Sequence, residues 1–200
     1  MTVFLSVYRL LVALLLALIF ASSGAWAQSG KSEYQPHVGQ EGKDVIWVPT
    51  PQALVEKMLD MGKVTAKDYV MDLGSGDGRT VITAAKRGAK ALGIEYNPEM
   101  VELSKRNAAK AGVSDKASFV KADLFEADLS PATVITMFLL PSINMKLRPT
   151  LLTLKPGTRI VSNTFDMEDW KPDKEMTVDG PESYLSRKLY MWVIPVRSGK

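Results

Sequence analysis

The sequence predicts an α/β domain: a doubly wound, mostly parallel sheet of seven strands with an antiparallel last strand. Three observations carry this. Short apolar runs alternate with amphipathic helical stretches from residue 52 to residue 165, and such alternation builds parallel sheets through right-handed crossovers. The run "VMDLGSGDGRT", Val70 to Thr80, sets a glycine loop directly after the first strand. The tail gives two strand-like runs, "KEMTVDG" and "RKLYMWVIPV", with no convincing helix between them, so that edge is expected to pair antiparallel.

Taken in order, residues 1–27 stand outside the fold. Arg9 precedes an apolar run from Leu10 to Ala21, and small residues lead to Ala25-Trp26-Ala27. A basic start, an apolar centre of ~7–15 residues and an A-x-A end mark a secretory signal peptide. Cleavage after Ala27 and export to the periplasm or beyond are expected. The alternative is an uncleaved membrane anchor, since the apolar stretch approaches the lower limit of ~17 residues for a span. Residues 28–44 are polar and rich in Gly and Ser, as in a flexible linker. Residues 45–200 are the expected folded domain.

Thr50 and Pro51 predict a helix start, with Thr50 as cap and Pro51 in the first turn, running through "QALVEKMLDMG" to Gly62. "DYVMDL" is the first strand and "RTVITAAKRG" the helix after the loop. "KALGIEY" is the second strand. Asn97 caps and Pro98 opens the helix "PEMVELSKRNAAKAG", which Gly112 closes. "ASFVKADL" is the third strand, and "ATVITMFLLP" the fourth, apolar enough for burial on both faces. "SINMKLRPTLLTLKPG" is helical with a break expected near Pro149, and "TRIVSNTF" is the fifth strand.

Composition narrows the function. The 200 residues suit one catalytic domain, and a monomer is expected. There is no cysteine, which excludes disulfides, thiolate metal sites and a thiolate nucleophile. His37 is the single histidine, so neither a histidine metal site nor a Ser-His-Asp triad is expected, and no metal is assigned. A formal charge of +3 is too weak to argue for a nucleic-acid partner.

The glycine loop reads G-x-G-x-G through Gly74, Ser75, Gly76, Asp77 and Gly78; Arg79 stands where a dinucleotide fingerprint needs its third glycine. Glycines there permit a tight turn and close approach of a ligand. Asp72, just before them, repels a pyrophosphate and welcomes a cationic amino group. Glu95, with Asn97 after it, ends the second strand, where a carboxylate can accept from both ribose hydroxyls. Asp123, followed by Leu124, ends the third, where it can receive an adenine amino group. Three acids at three successive strand ends describe a nucleoside with an amino-acid tail, S-adenosylmethionine.

These motifs resemble those of class I S-adenosylmethionine-dependent methyltransferases, over roughly Val45 to Val196. More narrowly, "WVPTPQ", "DLGSGDGRTVITAAKRG" and "DWKPD" are similar to the protein-lysine methyltransferase family that includes the enzyme modifying the ATP synthase c-subunit. The resemblance implies methylation of a protein lysine, membrane-associated or soluble, and a cofactor role for Thr50. Other readings are a small-molecule methyltransferase and a binding module without turnover. In place of the N/D-P-P-Y that follows the fourth strand in many base and glutamine methyltransferases stands "LLPSIN". Beyond the fifth strand, "NTFDMEDWKPD" offers Trp170 as an aromatic face and Asp166 or Asp169 to orient an amine, the expected acceptor side.

Overall fold

The computed structural model describes residues 33–179 and 186–196; the signal or anchor segment expected at residues 1–27 lies outside them. Helix α1 (Gln52–Met61) leads into strand β1 (Tyr69–Leu73), α2 (Arg79–Lys86), β2 (Lys90–Glu95), α3 (Pro98–Lys110) and β3 (Ala117–Lys121). Then come β4 (Val134–Met137), α4 (Pro141–Leu151), β5 (Arg159–Asn163), β6 (Lys174–Val178) and β7 (Arg187–Val193). The sheet runs β3-β2-β1-β4-β5-β7-β6. β1 to β5 pair in parallel, and β7 runs antiparallel to both β5 and β6. The chain winds outward from β1 to β3, then crosses back to lay β4 beside β1. That reversal splays the helices apart at the carboxyl ends of β1 and β4, where ligands of such sheets bind.

The core explains the register. All four residues of β4 are buried, as its largely apolar run predicts. α1 buries Leu54, Val55, Met58, Leu59 and Met61, and Trp192 of β7 is fully enclosed. Each such side chain contributes about 1.5–3 kcal/mol of burial. The amino edge is clasped by Asp68. Its carboxylate accepts from the Thr65 amide at 2.8 Å and from Thr133 Oγ1 at 2.8 Å, and it pairs with Arg159 of β5.

Three local expectations change. Pro51, not Thr50, occupies the N-cap position of α1, and no side chain caps it. Thr50 is buried, its Oγ1 receiving Asn163 Nδ2 at 3.4 Å, so its hydroxyl faces β5 instead of the helix end. α4 carries through Pro149 to Leu151 without a break; the proline withholds its own helical donor, and the helix ends two residues later. The segment before Thr50 forms a strap. Gly39 N donates to the Trp47 carbonyl and Trp47 N to the Gln40 carbonyl, both at 2.9 Å. Residues 40–44, placed by sequence in a linker, line the cavity described next.

Candidate active site

The loop after β1 is tied to β2, since the amides of Gly74 and Ser75 both donate to the Ile94 carbonyl, at 2.9 and 3.1 Å. Gly76 has φ +54, and a β-carbon there would lie 2.6 Å from Trp47 Nε1, so the loop is roofed by the strap. Gly78 has φ +82 and leads into α2; its β-carbon would meet the Phe119 ring at 2.7 Å. Gly78 therefore serves helix–strand packing. A cavity of about 300 Å³ opens at the carboxyl ends of the strands, and every predicted cofactor residue except Gly78 lines it.

Each acid in the cavity is held differently. Glu95 accepts from the Gly76 amide through Oε2 and from the Asn97 amide through Oε1, both at 2.9 Å. It therefore fixes the glycine loop and the start of α3 at once, while Asn97 Oδ1 caps that helix by accepting from the Glu99 amide at 2.9 Å. Asp123 accepts from Lys43 Nζ at 2.5 Å and from the Phe125 amide at 3.0 Å. Lys43, and then that amide, hold its carboxyl below the usual range. The Lys43 ammonium also sits 4.7 Å from the centre of the Tyr96 ring. Asp77 is gripped by Arg79, with Nε 2.9 Å from Oδ1, and Arg79 NH1 reaches the Thr50 carbonyl at 2.9 Å. Strap and loop are thus joined.

Asp72 is the exception. It is 6% exposed and accepts from Thr136 Oγ1 at 2.6 Å. Burial pushes its carboxyl up to about 7, against the hydroxyls of Thr136 and Thr80 and with added repulsion from Glu95 and Asp77. Beside it, the buried Ser75 Oγ has no hydrogen-bond partner among the described residues. A buried acid without a cation and an unmatched hydroxyl fit a ligand with an ammonium group and polar substituents. S-adenosylmethionine has both.

The lining that follows β4 and β5 differs. Met137, Phe138, Leu139, Leu140, Ile143 and Phe165 form it, and none carries a polar side-chain group apart from the methionine sulfur. Trp170, Asp166 and Asp169 are not among the lining residues. Trp170 packs on Trp192, with ring centres 5.8 Å apart, and its carbonyl accepts from Trp192 Nε1 at 2.8 Å. Asp169 pairs with Arg148 of α4, which holds its carboxyl below the usual range. Asp166 accepts from the Glu168 amide at 3.1 Å. The sequence pattern extends β5 to Phe165, whereas β5 ends at Asn163 and the chain turns back at Thr164. The pattern also misses Trp47, Lys43, Phe138 and Phe165 in the cavity, and Gly93, whose missing β-carbon leaves room for Ser75 Oγ. The aromatic residue inside the proline-flanked "VIWVPTPQ" is the one local signal that could have drawn attention to the strap.

Comparison with known proteins agrees with this geometry. The sequence matches the ANTKMT methyltransferase domain over residues 72–174, and a DNA methylase model over residues 25–106. A protein-lysine N-methyltransferase of Saccharolobus islandicus (strain REY15A) is 44% identical over 164 residues, covering 80% of this chain and 96% of the relative. The lysine N-methyltransferase of the ATP synthase c-subunit from Mus musculus is 35% identical over 64% of this chain, which spans about half (51%) of the mouse protein. Among solved structures, an RNA methyltransferase from Salinibacter ruber in complex with S-adenosyl-L-homocysteine is similar with a TM-score of 0.69 and 48% identity. The likeness covers 76% of this chain and 97% of that one. The chain belongs to the ANTKMT methyltransferase domain family and is an S-adenosylmethionine-dependent methyltransferase.

Proposed function

We propose that this enzyme methylates lysine side chains of proteins. Asp72 and Thr50 would hold the amino-acid end of the cofactor, Glu95 the ribose hydroxyls and Asp123 the adenine amino group. When bound, S-adenosylmethionine supplies an electrophilic sulfonium methyl. The acceptor must then be an uncharged amine held in line, so positioning and desolvation matter more than a dedicated base. A lysine ammonium has an ordinary pKa of ~10.4, and an apolar wall favours its neutral form.

The observation that carries this reading is the composition of the wall from Met137 to Leu140 with Ile143 and Phe165. An alkyl amine needs apolar contact along its methylenes. A nucleobase needs hydrogen-bonding groups facing its edge, and that wall offers no polar side chain apart from the methionine sulfur. The names of the archaeal and mouse relatives point to lysine. The name of the Salinibacter protein favours RNA as the second reading. The DNA methylase match ends at residue 106, before the acceptor side begins. Export after cleavage at Ala27 belongs to the proposal as well, and a native chain whose mass begins at Gln28 supports it. Incubation of host extract with methyl-labelled cofactor, followed by separate digestion of protein and RNA, tests the acceptor. Label recovered as methyllysine upholds the reading, and label recovered in nucleosides replaces it with the second.

A further inference from the structure

Thr164, one residue past β5, has φ +69, in the region where a β-branched residue is a clear outlier. The Phe165 amide donates back to the Asn163 carbonyl at 2.8 Å, closing a three-residue turn. Strained backbone persists where its surroundings over-determine it, and such places cluster at functional sites. The anchors here come from three elements. At the end of β5, Ser162 Oγ donates to the Phe165 carbonyl at 2.6 Å, and Thr164 Oγ1 donates to Asn163 Oδ1 at 2.9 Å. From α4, the fully buried Asn144 donates through Nδ2 to the Phe165 and Asp166 carbonyls, at 3.3 and 3.1 Å. From β7, Arg187 donates to Thr164 Oγ1 at 3.2 Å.

What this turn delivers is the Phe165 ring to the cavity wall, where it lies nearly parallel to Phe138 with centres 6.2 Å apart. Arg187 also covers Phe138, its guanidinium carbon 5.4 Å from the ring centre. Both phenylalanines are half-buried, unlike the core, and they follow the ends of β4 and β5, on the side of β1 away from β2 and β3.

We propose that Phe138 and Phe165 form the surface that receives the side chain of the target lysine, and that Arg187 is the positioning residue for that surface. The proposal rests on the lysine reading above. Two rings can pack along a methylene stem, shed its water and tolerate the ammonium by cation–π attraction until it loses its proton. Arg187 acts through both rings, through the face of Phe138 and through the turn that carries Phe165.

The test uses the full chain, S-adenosylhomocysteine as the calorimetric ligand, and host protein extract as acceptor with methyllysine counted. Phe165→Ala is expected to keep S-adenosylhomocysteine affinity within about threefold of wild type while methyllysine formation falls at least about tenfold. Phe165→Leu keeps an apolar side chain without the ring and is expected to fall between them; it carries the test should the alanine variant not fold. Arg187→Gln is expected to raise the acceptor concentration needed for half-maximal rate with little change in the maximal rate, and Arg187→Lys to restore part of the loss. Wild-type rates in both Phe165 variants overturn the proposal. So does a loss of ligand affinity matching the loss of rate, because the ring then belongs to the cofactor. If wild type itself forms no methyllysine, the lysine reading fails first and this proposal falls with it.

Discussion

Strand β1 is bracketed by two buried aspartates that the fold treats in opposite ways. Asp68, before its start, is 8% exposed, and Asp72, near its end, is 6% exposed. Asp68 is opposed by burial but compensated by the Thr65 amide, the Thr133 and Thr65 hydroxyls and Arg159, and its pKa falls below the ordinary value. Asp72 has hydroxyl partners and acidic neighbours but no cation among the described residues, and burial raises it to about 7. Similar surface exposure thus hides opposite electrostatics, because Asp72 lies much deeper than Asp68 and Asp68 alone has a guanidinium beside it. The amino edge of the sheet satisfies its polar groups within the protein. At the carboxyl edge Glu95 and Asp123 are satisfied too, but Asp72 is perturbed by burial and Ser75 Oγ is unmatched among the described residues, a pattern that gathers at functional sites.

This contrast can be broken at either end. The largest effect is expected at Asp68. Asp68→Ala leaves Arg159 only the Gly62 and Lys63 carbonyls and takes the acceptor from the Thr65 amide and the Thr133 hydroxyl, so it should cost about 3 kcal/mol of stability, with ligand affinity of the folded fraction unchanged. Chemical denaturation alongside calorimetry checks both halves. Next comes pH. A lowered carboxyl contributes stability above its unfolded value and loses it as pH falls, so the Asp68 contribution disappears below ~4. A raised carboxyl holds in the native state a proton that the unfolded chain has released. The Asp72 contribution is therefore fully present below ~4 and is lost as pH rises towards 7, on the order of 4 kcal/mol in all. Asp72→Asn should flatten that second slope, and denaturation midpoints measured between those limits decide it. Glu95→Ala should keep the fold and cost about 1–3 kcal/mol of S-adenosylhomocysteine affinity, the range for a charge-assisted hydrogen bond; wild-type affinity would dissociate Glu95 from the ribose. The smallest effect is expected at Lys43. Lys43→Met frees Asp123 and should tighten ligand binding only slightly, as for any solvent-screened pair, and a tenfold weakening would instead make Lys43 a ligand contact.

The two ends of the cavity also differ in how far the sequence exposes them. Glycines and acids at strand ends are local signals, and from them the loop, Glu95 and Asp123 are legible in the residues alone. The same signal misleads at Gly78. A positive φ demands glycine whether the neighbour is a ligand or the Phe119 ring, and here it is the ring. Lys43 escapes detection because its partner lies eighty positions away, beyond any periodicity. Phe165 escapes for a sharper reason. Threonine favours extended backbone, so the natural reading prolongs β5 through Thr164 and carries "DMEDWKPD" over the site. The reversal at Thr164 runs against its local propensity and is imposed by Asn144, Ser162 and Arg187. With the turn made, Trp170 lands on Trp192 and Phe165 faces the cavity. Thr50 shows the milder case, in which Pro51 takes the cap position and releases the threonine towards β5.

The central claim is that Asp72 is kept short of a cation so that the cationic end of the cofactor can supply it. Calorimetry of S-adenosylhomocysteine binding near pH ~6.5, just below the raised Asp72 value, tests this directly when run in two buffers of different ionisation enthalpy. The ligand ammonium lowers the Asp72 pKa on binding, so wild type is expected to release a fraction of a proton, and Asp72→Asn none. A binding enthalpy of wild type that is the same in both buffers, with no proton exchanged, contradicts the account.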